Sequence, residues 1–447
     1  MSETTERWSS KRAFILAVTG AAVGLGNIWR FPYMTGENGG SAFLMLYVLF
    51  VVLLGLPVMA AEIMIGRAGR RTPMAALAYL AGKAGATPHW RWLGLFGGIT
   101  VFFILSFYSV VSGWSIEYLV GTFKGSFVNR TPADIGTAFN DFLADPYRMI
   151  FNHTLFLLMT MSVVATGISS GLEKLNNLLM PLLYVLLIVL VGYAATTAGF
   201  GTAMRWLFAP DLSAINAHVV LNAMGHAFFT LAVGAGALMA YGAYMPEHQS
   251  LPRAVIAVAV LDIAVALLSG IAIFSIVFAH GLDPTEGPGL MFVTLPVAFS
   301  DLPGGVIWLG IFFLLLLFAT WTSSINLAEP MVAMLTGVGV KRSIAALLVG
   351  IGVWTTGLLP ALSFSTLSTI HPVGNMNFFD LVTTVPTDIF LPLGGLLIAI
   401  FAVWVMNRDT AYEALGAKES HCILWLNLMR FVSIPLLMIV LLGGLFA

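Results

Sequence analysis

Two short stretches put chemistry inside apolar sequence. Residues 18 to 33 read VTGAAVGLGNIWRFPY and residues 230 to 237 read TLAVGAGA, so AVGxG occurs twice. Glycine weakens a helix by roughly 1 kcal/mol relative to alanine, and it also lets a turn unwind. An unwound turn bares carbonyl oxygens to a cation and leaves half-helix N-termini facing an anion. Asn27, Arg30 and Glu62 lie in or beside the same apolar sequence, where polar and ionisable groups are costly and mark function or pairing. Metal-centre chemistry has little support. His153, His218, His226, His280 and His371 show no ligand spacing, and Cys422 is the single cysteine, so a multi-cysteine site and an internal disulfide are excluded. A membrane enzyme is disfavoured for the same reason.

The elements that must position these residues are membrane helices. The chain is 59% hydrophobic and 9% charged, with a mean hydropathy of +0.94, far from the composition of a soluble domain. Apolar runs near the roughly 20 residues needed to cross a bilayer begin near residues 13, 41, 93, 150, 176, 218, 254, 304, 343, 378 and 423. They predict an all-α polytopic protein of eleven spans in the lipid bilayer of a cell membrane, in bacteria the inner membrane. No β-barrel alternation is present, and the polar start MSETTERWSSKR argues against a cleavable signal peptide. The net charge of -1 carries no nucleic-acid signature.

A cytoplasmic N-terminus puts Arg7, Lys11, Arg12, Arg67, Arg70, Arg71, Lys83, Arg91, Lys174, Arg253, Lys341, Arg342, Arg408 and Lys418 inside. It leaves Lys124, Arg130, Arg148 and Arg205 outside, as the positive-inside rule favours. Ala447 then lies on the outer face. The two AVGxG segments, in spans one and six, enter the membrane from opposite sides. That predicts a single transporter domain over 1–447, with inverted repeats at about 13–198 and 217–407 and an extra helix at about 423–446. Paired glycine-interrupted helices are a pointer to a midplane transport site. Close packing of small residues is the simpler reading of one such motif, but here the motif recurs in matched halves.

GAAVGLGNIWRFPYMTGENGGSAF strongly resembles the opening of the neurotransmitter:sodium symporter family. The likeness continues through GLPVMAAEIMIGR, GISSGLEKLNN, FFTLAVGAGALMAYGAY and TWTSSINLAEP, as in the bacterial amino-acid transporters of the family. It implies a five-plus-five inverted-repeat bundle with discontinuous helices 1 and 6, importing substrate with two sodium ions. The first ion is implied at Ala22, Asn27, Thr230 and Asp262, where a substrate carboxylate completes an oxygen shell suited to a hard cation. The second is implied at Gly20, Val23, Ala319, Thr322 and Ser323. Without the resemblance, hydroxyls of TSS inside a helix are read as bonding the preceding turn.

The substrate site implied by the family takes backbone donors from Leu25 and Gly26 and the Tyr108 hydroxyl, with Ala22 and Thr230 alongside. Gly24 stands where monoamine carriers place an aspartate, so an amino acid keeping its own carboxylate is the expected cargo. Its side chain would meet Ile104, Tyr108, Phe229, Ala232, Ala235, Ser323 and Leu327. Ala235 replaces a phenylalanine of a leucine-selective relative, which favours a large hydrophobic or aromatic amino acid. Asn326 either adds polar lining or bonds a neighbouring helix. Glu62 is expected to hold the exposed backbone of the breaks, and Glu329 to do similar work near the inner end of span eight.

The implied outer gate couples Arg30 to an acid in span ten, with Asp380 as candidate, one turn before the aligned Thr383. At the inner gate Thr5 and Gly337 replace the charged pair of relatives. Either Arg7 finds another acceptor or closure rests on Trp8 and Tyr244 packing. Chloride is expected to be dispensable: Asp262 itself supplies negative charge, Ala266 offers none one turn later, and His226 replaces a glutamine beside Tyr47. Asp262 is also the group able to take a proton for the return step. A membrane amino-acid sensor without turnover is the alternative function, and oligomeric state is not legible.

Overall fold

The computed structural model describes residues 8–246, 249–285, 287–300 and 304–446. Within them the chain is a helical bundle, with an isolated bridge between Val373 and Met376 in place of any strand. Nine helices are long and apolar enough to cross a membrane: Ser41–Gly69, Pro88–Phe123, Pro146–Thr166, Ile168–Ala194, Leu251–Ala279, Gly305–Gly337, Arg342–Leu362, Phe378–Val405 and Glu419–Leu445. A tenth is the pair Lys11–Ala22 and Gly26–Glu37, bent by 50° at its break. Expected span six is present as two helices, Ala217–Thr230 of 14 residues and Ala237–Ala243 of 7 residues, neither long enough alone.

Keeping the expected span numbers, spans three and eleven mark the centre and the rim. The apolar window of span three is 72% buried and that of span eleven 28%, so span three lies inside the bundle and span eleven faces its periphery. Span eight packs on spans one, three, four and five, and span one also packs on spans five and seven. This arrangement brings both broken helices against continuous ones, whose intact backbones carry the load. The expected outer connector after span three holds a helix, Pro132–Ala144. Its start is fixed by a capping box, with Asp134 N–H on the Thr131 hydroxyl at 3.2 Å and Thr131 N–H on the Asp134 carboxylate at 3.0 Å. Both orphan amides of that turn are thereby satisfied.

Candidate functional site

The break in span one begins where Val23 leaves the helix for extended backbone, φ -72° and ψ 112°. The chain re-enters helix as a π turn at Gly26–Arg30. Asn27 holds the gap from inside: its Oδ1 accepts the Gly24 N–H at 3.1 Å, and its Nδ2 donates to the Asp262 carboxylate at 2.7 Å and to the Asp262 carbonyl at 3.1 Å. In span six the helix stops after Thr230, and Ala232, Gly234 and Gly236 take positive φ of 52°, 99° and 67°. Gly234 has no substitute here, because a Cβ would also meet the Leu391 carbonyl. Ala232, with a Cβ, holds a conformation costing about 1–3 kcal/mol, which persists only under surrounding constraint. Glu62 supplies that constraint, accepting from Gly234 N–H at 2.6 Å and Leu238 N–H at 3.2 Å. It bridges the unwound turn as expected from its place in span two.

Asp262 is fully buried. Its carboxylate receives Asn27, the Tyr47 hydroxyl at 3.2 Å and the Thr230 hydroxyl at 3.2 Å. Its partners among the described residues are thus neutral donors from spans one, two and six. A buried carboxylate without a basic partner is costly, and a hard cation among these oxygens would offset that cost. This donor set therefore fits sodium as cargo. In the second implied set, the Ser323 hydroxyl donates to the Ala21 carbonyl at 3.2 Å and so reaches from span eight to span one. Thr322 instead donates to Phe318 and Ala319 carbonyls at 2.9 and 3.0 Å, the helix back-bonding read from TSS alone. Gly20 lies in the last turn of the first helix and Val23 is the residue that leaves it.

Between the two breaks lies a narrow cavity of about 30 Å³. Its walls are Ala21, Ala22, Gly24, Leu25 and Gly26 from span one, Ile104 and Tyr108 from span three, and Phe229, Ala232 and Ala235 from span six. Ser323 and Leu327 come from span eight and Leu391 from span ten. Thr230 is not part of this wall; its hydroxyl faces Asp262. The Leu25 N–H donates to the Tyr108 hydroxyl at 3.1 Å, which fixes Tyr108 against the break. Gly24 is required by space: a Cβ would strike the Tyr108 hydroxyl and stand 2.9 Å from Ser323 Cβ. Every lining side chain is uncharged. Leu391 and Ala21 were not expected; Leu391 lies in a proline- and acid-bearing segment, TTVPTDIFLP, that signals irregular backbone.

The gates require corrections. Arg30 does not meet Asp380. Its Nη2 lies 3.6 Å from Asp388 Oδ1, and its guanidinium sits 4.6 Å above the ring of Phe229, a residue of the cavity wall. Asp380 is consumed by a capping box with Asn377, at 2.9 and 3.2 Å, because the first turn of a helix captures a carboxylate with free amides. The signal for Asp388 was an acid inside an apolar span.

At the N-terminal end of span one, the Trp8 ring stacks on that of Tyr241, with centroids 5.5 Å apart and 19° between planes. Tyr244 contributes its backbone carbonyl, which accepts the Trp8 N–H at 3.2 Å. Ser9 adds a contact that was not expected, donating its N–H to the Glu173 carboxylate at 3.1 Å and its hydroxyl to the same group. Arg7 and Thr5 lie outside the described residues. Arg70 ties down the end of the second broken helix through the Ala243 and Met245 carbonyls at 3.2 and 2.5 Å. Glu329 forks onto Arg342. Asn326 bonds neighbouring helices and does not line the cavity.

The comparisons with known proteins agree with this architecture. The model of the sodium:neurotransmitter symporter family matches residues 5–134 and 138–445. A sodium-dependent transporter of Bacillus subtilis, YhdH, is 34% identical over 439 residues, covering 97% of this chain and 96% of the relative. One from Haemophilus influenzae is 31% identical over 449 residues, covering 99% and 98%. Among solved structures, the crystal structure of MhsT in complex with L-phenylalanine superposes with a TM-score of 0.91 at 40% identity, over 99% of this chain and 100% of that one. A match that runs through both broken helices and the continuous helices bracing them leaves one conclusion: this multi-pass membrane protein belongs to the sodium:neurotransmitter symporter family, as a sodium-dependent transporter.

Proposed function

We propose that the chain imports a hydrophobic or aromatic amino acid by alternating access, driven by two sodium ions and without chloride. The observation that carries this is the uncharged cavity set between two backbone breaks, with the buried Asp262, Asn27 and Thr230 cluster beside it. The phenylalanine bound to MhsT supports a cargo of that class. The break in span one offers the Gly26 amide to the substrate carboxylate, joined by the Leu25 amide once the carboxylate takes the place of the Tyr108 hydroxyl as its acceptor. Ala235 leaves room for a bulky side chain. Asp262 supplies the negative charge that makes an added anion unnecessary at the first sodium, while Gly20, Val23, Ala319, Thr322 and Ser323 take the second.

Outward closure is the Arg30–Asp388 pair over Phe229, and inward closure is Trp8 on Tyr241. Counting the split helix 217–243 as one crossing gives eleven spans, with repeats at about 13–198 and 217–407, the extra helix at about 423–446 and the N-terminus in the cytoplasm of a bacterial cell. Ala447, which lies outside the described residues, would then face outward. Two sodium charges carried with a zwitterion gain about 4.6 kcal/mol per 100 mV of membrane potential, enough for roughly 10³-fold accumulation.

Proteoliposomes loaded with potassium gluconate provide the test. Under an inward sodium gradient they should accumulate phenylalanine, tryptophan or leucine in preference to charged amino acids, equally well in gluconate and chloride. Sodium-dependent binding without uptake or counterflow would overturn transport in favour of a sensor.

A further inference from the structure

Span eleven lies outside both proposed repeats and at the rim of the bundle, yet side chains pin it to the helices beneath. Pro57 in span two has no N–H to give to the carbonyl four residues before it, that of Leu53. The hydroxyl of Ser433, fully buried in span eleven, donates to that carbonyl at 2.8 Å. The Trp425 indole N–H donates to the Pro57 carbonyl at 3.1 Å, and Arg430 donates to the Val403 carbonyl of span ten at 3.4 Å. The same stretch of span two, Leu56–Gly69, carries Glu62, whose carboxylate holds the break of span six. The outer end of span eleven, Ile434–Phe446, packs on span ten and on the first half of span six. Gly444 abuts the π turn Val385–Phe390: a Cβ there would fall 2.3 Å from the Asp388 carbonyl oxygen and 3.4 Å from Asp388 Cβ. Glycine is therefore needed for this approach. At Gly443 a Cβ would meet the flexible end of the Leu221 side chain instead, at 2.9 Å.

We propose that span eleven is a strut that seats Asp388 for outward closure, with Ser433 and Gly444 as its positioning residues. Ser433 fixes the strut to span two. Gly444 sets the Asp388 backbone at the place from which its carboxylate comes within 3.6 Å of Arg30. The helix between them runs about 16 Å, long enough to carry a displacement from the middle of the bundle to its outer end. A helix held on span two and abutting Asp388 moves with span two, so rearrangement of the element that holds the span-six break reaches the gate acid. The inference rests on the proposed outer gate of Arg30 and Asp388.

The test uses the full-length protein carrying Cys422→Ala and Ile104→Cys. Ile104 lies in the cavity wall, and an impermeant methanethiosulfonate added to intact cells reaches it past the Arg30–Asp388 pair. Rates are read in sodium-free buffer without amino acid, so that no cargo covers the cysteine, and are normalised to labelling after denaturation. Gly444→Ala should raise the rate about two- to fivefold, the contribution of a partly solvated ion pair. Ser433→Ala should raise it by a similar factor. Gly443→Ala makes the same change one residue away, against a side chain that can turn aside, and should leave the rate unchanged. Arg30→Ala should raise the rate at least as much as Gly444→Ala. In that background Gly444→Ala and Ser433→Ala should add nothing, because Asp388 no longer has a partner to meet. A rate unmoved by either Gly444→Ala or Ser433→Ala, or raised by them in full alongside Arg30→Ala, would overturn the strut. Equal rises in Gly443→Ala and Gly444→Ala would overturn it too, marking a general loosening of the helix end. A rate unmoved by Arg30→Ala would overturn the outer gate and the inference with it.

Discussion

Replacing Asp262 by asparagine tests the first sodium site at the point where the charge sits. The substitution keeps side-chain size and one oxygen but removes the negative charge from a fully buried position. A unit charge about 4 Å from a cation, at an effective dielectric of about 20, is worth about 4 kcal/mol. Some of this is returned, because the ion-free wild-type site holds a buried carboxylate stabilised by the neutral donors Asn27, Tyr47 and Thr230 at 2.7 to 3.2 Å; that state is itself costly, and the variant is relieved of it. A net loss of about 2–3 kcal/mol remains, so sodium affinity should fall about 30- to 150-fold. Sodium titration of radiolabelled amino-acid binding to the purified protein, in gluconate and again in chloride, reads this directly. In gluconate the half-saturating sodium should rise by that factor, and chloride should recover part of the loss. Half-saturation within threefold of wild type in chloride-free buffer would refute the assignment of Asp262 to the ion.

Ala235→Phe should weaken binding of tryptophan by about 5- to 150-fold, the overpacking cost of about 1–3 kcal/mol, and that of alanine far less; a competition panel checks the difference. Asp388→Asn should change outward closing, monitored by a fluorophore beside Arg30, by no more than about fivefold, since a partly solvated pair as long as 3.6 Å contributes about 0–1 kcal/mol. Arg30→Ala should cost more because it also removes the cation over Phe229, and Asp380→Asn should leave closing unchanged while weakening the capped turn at Asn377. In the outer connector, the Thr131 hydroxyl and N–H hold the Asp134 carboxyl below its usual range. Its stabilisation of the Pro132–Ala144 helix start is therefore present above the unfolded carboxyl value of about 4 and lost as pH falls through the lower folded value. Amide exchange at Asp134 and Ile135, corrected for intrinsic rates, should accelerate only in that acid range.

The breaks at AVGLGN and AVGAGA were legible because they are local: glycines inside an apolar run weaken the helix wherever it is packed. Glu62 was legible too, since a carboxylate in GLPVMAAEIMIGR must find donors and an unwound turn offers them. Most of the cavity wall came from the same segments once the family likeness fixed their register. Partner choice across the bundle was not legible. In span ten the family likeness put Thr383 at the acid position and Asp380 one turn earlier, but Asp380 is held in the capping box with Asn377 and the folded chain presents Asp388, within the π turn Val385–Phe390, to Arg30. The sequence reading paired Trp8 with Tyr244 of AYGAY, and helix packing stacks the Tyr241 ring on it. The Ser9–Glu173 contact and the Asn176–Asn326 hydrogen bonds join residues 164 and 150 positions apart. Hydrogen bonding at such separations depends on how whole helices are rotated against one another, which no local pattern of residues encodes.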